Sequence, residues 1–384
     1  MSVTFPKGFV AAGVAAGLKV SGNPDVALVV NTGATNVAAG VFTSNRIKAA
    51  PVLWTQQCLT GGAFKGVVLN SGGANACTGP DGFADTHRTA ELVAQLLEVG
   101  AIEVAVCSTG LIGKRLPMDN LFSGIRDAHS NLSETGGENA AKAIMTTDSV
   151  SKTATFESPN GWRIGGMAKG AGMLAPGLAT MLVVLTTDAV ISQKDADAAL
   201  RNATRVSFDR IDSDGCMSTN DTVLLLASGS TDVVAEVSEF TAALTEICFD
   251  LARQLIADAE GSTKDIKIVV SSAGTEQEAV EVARTVSRSN LLKCAIHGED
   301  PNWGRVLSAI GTTTATFEPD GIDVDFNGVA VCRSGSALPN EPEVDLSGRV
   351  VEIGIALNAG IETATLWTND LTAMYVHENS AYST

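Results

Sequence analysis

Apolar positions along the chain follow two rhythms, and the switching between them predicts a mixed α/β protein. Largely apolar runs predict buried strands at Val26–Val30, Lys65–Asn70, Glu103–Cys107, Ile266–Ser271, Val350–Leu357 and Thr363–Thr368. Helical spacing predicts a helix over Ala84–Val99, with Leu92, Val93, Leu96 and Leu97 on one side. A second helix is expected over Phe240–Glu260, where Leu244, Cys248, Leu251 and Leu255 share a face and Gly261 is a natural C′ residue. Ser192 with Asp195, and Thr275 with Glu278, form capping-box starts for two more helices, the first running through Ala203.

The rhythm is most informative between Gly165 and Asp188. Gly165, Gly166, Gly170, Gly172 and Gly177, with Pro176, lead into the apolar run Met181–Leu185. The expected structure is a tight glycine-rich loop that becomes a core strand, with Thr180 at the junction and Lys169 before it. A threonine there also suits an ordinary strand start, because its side chain is β-branched.

Composition narrows the function. Apolar residues make up 45% of 384, ample for a large core or two ordinary ones. A formal charge of −17 argues against nucleic acid held by its phosphates and against a polybasic membrane surface. The start of the chain is a poor signal peptide and too short an apolar stretch to span a bilayer, so a cytoplasmic protein is expected. The 7 cysteines are odd in number and show no metal-type spacing, which fits free thiols and gives no reason to expect a metal.

Candidate chemistry lies at the ends of predicted strands. Glu103–Cys107 runs into Ser108-Thr109-Gly110-Leu111-Ile112-Gly113, a turn able to present a hydroxyl and backbone amides at one spot, as an oxyanion hole requires. Ile211–Thr222 carries three aspartates but lacks the EF-hand glutamate, so a structural or active-site loop is expected. Asp258 and Glu260 would close the Phe240–Glu260 helix, where the dipole disfavours negative charge. Such a broken local rule hints at function. His297 is read as structural.

Several of these stretches together resemble one family. Lys169-Gly170-x-Gly172-Met173-x-x-Pro176-x-x-Ala179-Thr180-Met181-Leu182 is similar to the self-cleavage segment of the ornithine acetyltransferase (glutamate N-acetyltransferase) family of arginine biosynthesis. Ser108–Gly113, Met145-Thr146-Thr147-Asp148, Ala259-Glu260-Gly261-x-x-Lys264 and His297–Arg305 resemble further family segments, so the likeness spans nearly the whole chain. Asn70–Gly79 does too, but has Gly73 where the family usually has asparagine, so no role is carried there.

The resemblance implies a mixed α/β layered sandwich, with two sheets between helices and an N-terminal-nucleophile-like active site. It implies a cut between Ala179 and Thr180, giving an α chain of residues 1–179 and a β chain of residues 180–384 that begins with the nucleophile. Thr109 and Gly110 then stabilise the oxyanion. Thr146 (favoured narrowly over Thr147), Lys169, Thr180, Glu260, Asn379 and Thr384 contact substrate. The implied reaction moves acetyl from N-acetylornithine to glutamate through an acetyl-threonine, with no bound cofactor. Some members also use acetyl-CoA as a substrate, and the implied assembly holds two α and two β chains. Two rivals are an N-terminal-nucleophile amidase or aminopeptidase acting on N-acyl amino acids, and a non-catalytic binding protein with an uncut chain. Roles for Asp148, Asp214 and Arg305 stay open.

Overall fold

The computed structural model describes residues 2–174, 181–340 and 342–381. It divides into two compact units, one of Met1–Asp209 with Cys216–Asp258, the other of Arg210–Gly215 with Ala259–Thr384.

The first unit holds strands β1 (Phe9–Val14), β2 (Val26–Asn31), β3 (Val37–Phe42), β4 (Gly66–Asn70), β5 (Val104–Ser108), β6 (Lys152–Glu157), β7 (Arg163–Lys169), β8 (Leu182–Thr187) and β9 (Thr222–Ala227). Its helices are α1 (Ala50–Cys58), α2 (Gly79–Leu97), α3 (Met118–Ser130), α4 (Gly137–Ala143), α5 (Gln193–Val206) and α6 (Val237–Ala257). One sheet runs β1-β2-β4-β5 and the other β3-β9-β8-β7-β6.

Alternation along the strands shows how they stack. Ala27, Val29, Val67, Leu69, Ala105 and Cys107 join Met167, Leu182, Val184, Leu224 and Leu226 of the other sheet in one core. Val26, Leu28, Val30, Val68, Val104 and Val106 face outward onto Val93, Leu121 and Ile125 of α2 and α3. The second sheet is covered outside by α5 and α6. Strands buried on both faces need no polar alternation, which is why they read as continuous apolar runs. The unit is two sheets packed between helices, as expected.

Two expectations need correcting. Gly165 and Gly166 belong to β7, not to a loop. A Cβ at Gly165 would come within 2.3 Å of the Ser2 carbonyl oxygen, so the chain start crosses the strand there and only glycine leaves room. The expected helix over Phe240–Glu260 runs Val237–Ala257. Asp258 is its C-cap, and Glu260 lies beyond it.

The second unit contains β10 (Asp265–Ala273), β11 (Asp323–Phe326), β12 (Val329–Arg333), β13 (Ser336–Ala337), β14 (Val350–Ala356) and β15 (Glu362–Asn369), in the order β13-β12-β11-β14-β10-β15. With them come α7 (Glu276–Ser287), α8 (Asn290–His297), α9 (Trp303–Ile310) and α10 (Ala373–Ala381). Its core unites Ile266, Ile268 and Val270 with Val282, Val286 and Ile296. The predicted caps form, since Ser192 accepts from the Asp195 amide and Thr275 from the Glu278 amide, each at 3.2 Å.

Candidate active site

In the first unit the chemistry collects at one end of the two packed sheets. Parallel pairing sets Asn70 beside Ser108, so both strands end together. Ser108 Oγ donates to Asn70 Oδ1 at 2.6 Å, and the Thr109 amide donates to the Asn70 carbonyl at 2.9 Å. The Thr109 amide is therefore committed to β4, and its hydroxyl and the Gly110 amide stand where β5 ends.

Gly110 has φ +131°, and a Cβ there would come within 2.7 Å of the Gly73 nitrogen. Gly73 itself donates to the Thr109 carbonyl at 3.0 Å. Gly110→Ala is therefore expected to cost about 1–3 kcal/mol. It should also lower kcat on the order of a hundredfold by shifting the turn. Thermal melting and steady-state kinetics check the two effects.

Asn220 ties the turn to the second sheet, donating to the Ser108 carbonyl at 2.8 Å and the Ala74 carbonyl at 2.6 Å. Lys169, at the end of β7 and 1% exposed, makes the second tie, donating to Thr109 Oγ1 at 3.4 Å. Its Nζ also lies 4.0 Å from Asp148 Oδ2.

Asp148 is the electrostatic centre. It accepts from Lys152 Nζ at 2.7 Å, from the Gly170 amide at 2.6 Å and from the Thr146 amide at 2.9 Å. Burial alone would raise its pKa, but the charges of Lys169 and Lys152 outweigh that and hold it at about 2. Lys152, wholly buried, also donates to Asp258 at 2.6 Å. Asp258 takes two further bonds from Ser149. The unfavourable C-cap carboxylate is thus paired rather than solvated. Thr146 is half-buried and turned to Asp148, whereas Thr147 is exposed.

Lys19 adds a third cation, donating to the Met145 carbonyl at 2.6 Å and the Pro24 carbonyl at 2.9 Å. Burial lowers its pKa, Asp25 opposes this, and the charge of Lys169 lowers it further.

The structure thus brings Thr109, Gly110, Thr146 and Lys169 into one network. Ala179, Thr180 and Thr384 lie outside the described residues. Glu260 and Asn379 belong to the second unit. There Thr372 Oγ1 donates to the Gly261 carbonyl at 2.6 Å and accepts from the Tyr375 amide at 2.9 Å, anchoring α10, which carries Asn379, beside Glu260. Among the described residues the chain ends in α10, which runs to Ala381. His297 Nδ1 lies 2.9 Å from Asp370, a structural pairing within the same unit.

Sequence reasoning missed Asn70, Lys152, Asn220 and Lys19. Asn70 had a readable signal, a polar residue closing an apolar strand.

Fold and site define a layered α/β protein whose packed sheets end in a buried lysine–aspartate network beside an oxyanion-type turn. The ArgJ family model matches residues 10–384, and the chain belongs to that family. It is 65% identical over 383 residues to the arginine biosynthesis bifunctional protein ArgJ of Streptomyces avermitilis, covering 100% of both chains. The Mycobacterium tuberculosis protein of the same name is 55% identical over 390 residues, covering 99% of this chain and 96% of that one. A crystal structure of ornithine acetyltransferase with ornithine from Mycobacterium tuberculosis matches 47% of this chain and 96% of its own, at 60% identity and a TM-score of 0.45.

Proposed function

We propose that this enzyme of arginine biosynthesis transfers acetyl from N-acetylornithine to glutamate through an acetyl ester on Thr180, formed after the chain cuts itself between Ala179 and Thr180. The observation that carries this is the meeting of Lys169 with Thr109 at 3.4 Å, where β7 ends and the oxyanion-type turn begins. The family resemblance implies that those residues flank the chemistry.

In maturation the Thr180 hydroxyl attacks the Ala179 carbonyl, the acyl group shifts from N to O, and water hydrolyses the ester. The products are the Ala179 carboxylate and the Thr180 α-amine. The two chains, 1–179 and 180–384, should stay together, since β7 pairs with β8 from Lys169 opposite Leu182 to Ile164 opposite Thr187.

In turnover the α-amine takes the hydroxyl proton as Thr180 Oγ attacks the acetyl carbonyl; its free pKa of ~7.7–8.0 suits that role. The Thr109 hydroxyl and Gly110 amide stabilise the oxyanion. Collapse returns the proton to the departing α-amine of ornithine. The glutamate α-amine then attacks the ester, giving N-acetylglutamate and free Thr180. Thr146, Lys169, Glu260, Asn379 and Thr384 are the proposed substrate contacts, with Lys169 suited to an α-carboxylate and Glu260 to an ammonium.

Acetyl-CoA would load the same threonine as a substrate, with no bound cofactor. Two α and two β chains in the cytoplasm complete the proposal. No helix among the described residues is long and apolar enough to cross a membrane.

An assay with N-acetylornithine and glutamate tests it. N-acetylglutamate should form in step with ornithine. Release of acetate outpacing transfer would favour an N-terminal-nucleophile amidase instead. Thr109→Ala, which removes one oxyanion donor, should lower kcat about 10²–10³-fold.

A further inference from the structure

Asp221 stands immediately before β9, and the parallel register that sets Leu182 opposite Thr222 sets it against Met181. Asp221 Oδ1 accepts from the Met181 amide at 3.0 Å, and the Thr222 amide donates to the Met181 carbonyl at 3.2 Å. Both backbone groups of Met181, the residue after Thr180, are therefore held.

The Asp221 side chain is fully buried, and among the described residues its Oδ2 has no hydrogen-bond partner. An ionised carboxylate with an unpaired buried oxygen is costly, whereas a protonated one carries no charge into the core. Burial drives this carboxyl well above the usual range, outweighing the Met181 amide, the charge of Lys169 and the Ser218 contact.

We propose that Asp221 is a positioning residue for Thr180: it fixes the peptide joining Thr180 to Met181, and the role needs a hydrogen-bond acceptor there rather than a negative charge. This rests on the reading of Thr180 as the nucleophile. A carboxylate bonded to the amide that follows Thr180 would favour the protonated form of the α-amine and spoil it as a base. A neutral acceptor orients the same backbone without that effect.

The test follows cutting of the full-length chain by denaturing mass, and then kcat, in wild type, Asp221→Asn, Asp221→Ala and Thr180→Ala. Asparagine keeps an acceptor of the same shape and lacks the charge. It should cut to completion within about threefold of the wild-type rate, while alanine, which orphans the Met181 amide, should slow cutting about tenfold or more. Circular dichroism establishes which variants fold. If the alanine variant does not fold, asparagine alone decides. A folded Asp221→Asn chain that stays whole, or an alanine variant that cuts normally, would overturn the inference. A wild-type chain that never cuts would remove the nucleophile reading itself, and this inference with it.

Discussion

Replacing Thr180 with alanine is expected to leave one full-length chain and to lower acetyl transfer by about 10⁴-fold or more. The variant lacks the hydroxyl proposed to attack Ala179, so the peptide bond should stay closed. Its α-nitrogen therefore remains an amide, which cannot serve as a base. Nucleophile and base are lost by one substitution, which makes this the largest kinetic effect expected in the chain. The fold should survive, because the following strand is held by β7 and β9 on either side. Denaturing mass and thermal melting separate the two statements: an uncut chain with a near-normal melting temperature is the expected pair.

The second large effect concerns stability. Asp148→Ala should cost about 3–5 kcal/mol, because it leaves Lys169 and Lys152 buried without their shared carboxylate. Melting should fall on the order of 10 °C. Removing the exposed partner in the Glu157–Arg163 pair should cost less than about 1 kcal/mol and serves as the control.

The same carboxylate sets an acid limit. With its folded pKa held at about 2, below the unfolded value, Asp148 contributes stability that is fully present above about pH 4. That contribution, on the order of 2–3 kcal/mol, is lost as pH falls through 2. Urea titrations across this window should show a drop in wild type that the alanine variant lacks.

Particular residues show what could be read in advance. Val67, Val68 and Leu69 announce their strand because each face buries large side chains, one against the opposite sheet and one against helices. Val37–Phe42 and Arg163–Lys169 are equally core strands, but Gly40, Gly165 and Gly166 give little apolar signal. They are small because neighbours press on them: a Cβ at Gly166 would meet Leu185 at 2.9 Å. Helix α2 starts at Gly79, five residues before the expected start at Ala84, on a Gly-Pro pair that reads as a turn although proline suits a first helical turn.

Of the candidate site, the turn at Thr109 and Gly110 was legible because it closes an apolar run. The electrostatics of the site were not. Lys152 meets Asp148 four residues away and Asp258 106 residues away, and only the packed sheets bring those groups together. Asp221 looked like one aspartate of a polar loop until the strand register set it against Met181.

The central claim is a covalent acetyl-threonine, and it can be weighed directly. The mature protein would be incubated with N-acetylornithine alone, without glutamate, then quenched in acid and its fragments weighed. The account predicts that the 180–384 chain gains the mass of one acetyl group, that ornithine appears in matching amount, and that added glutamate removes the label as N-acetylglutamate. A 180–384 chain that stays unmodified, with ornithine released only when glutamate is present, would contradict it.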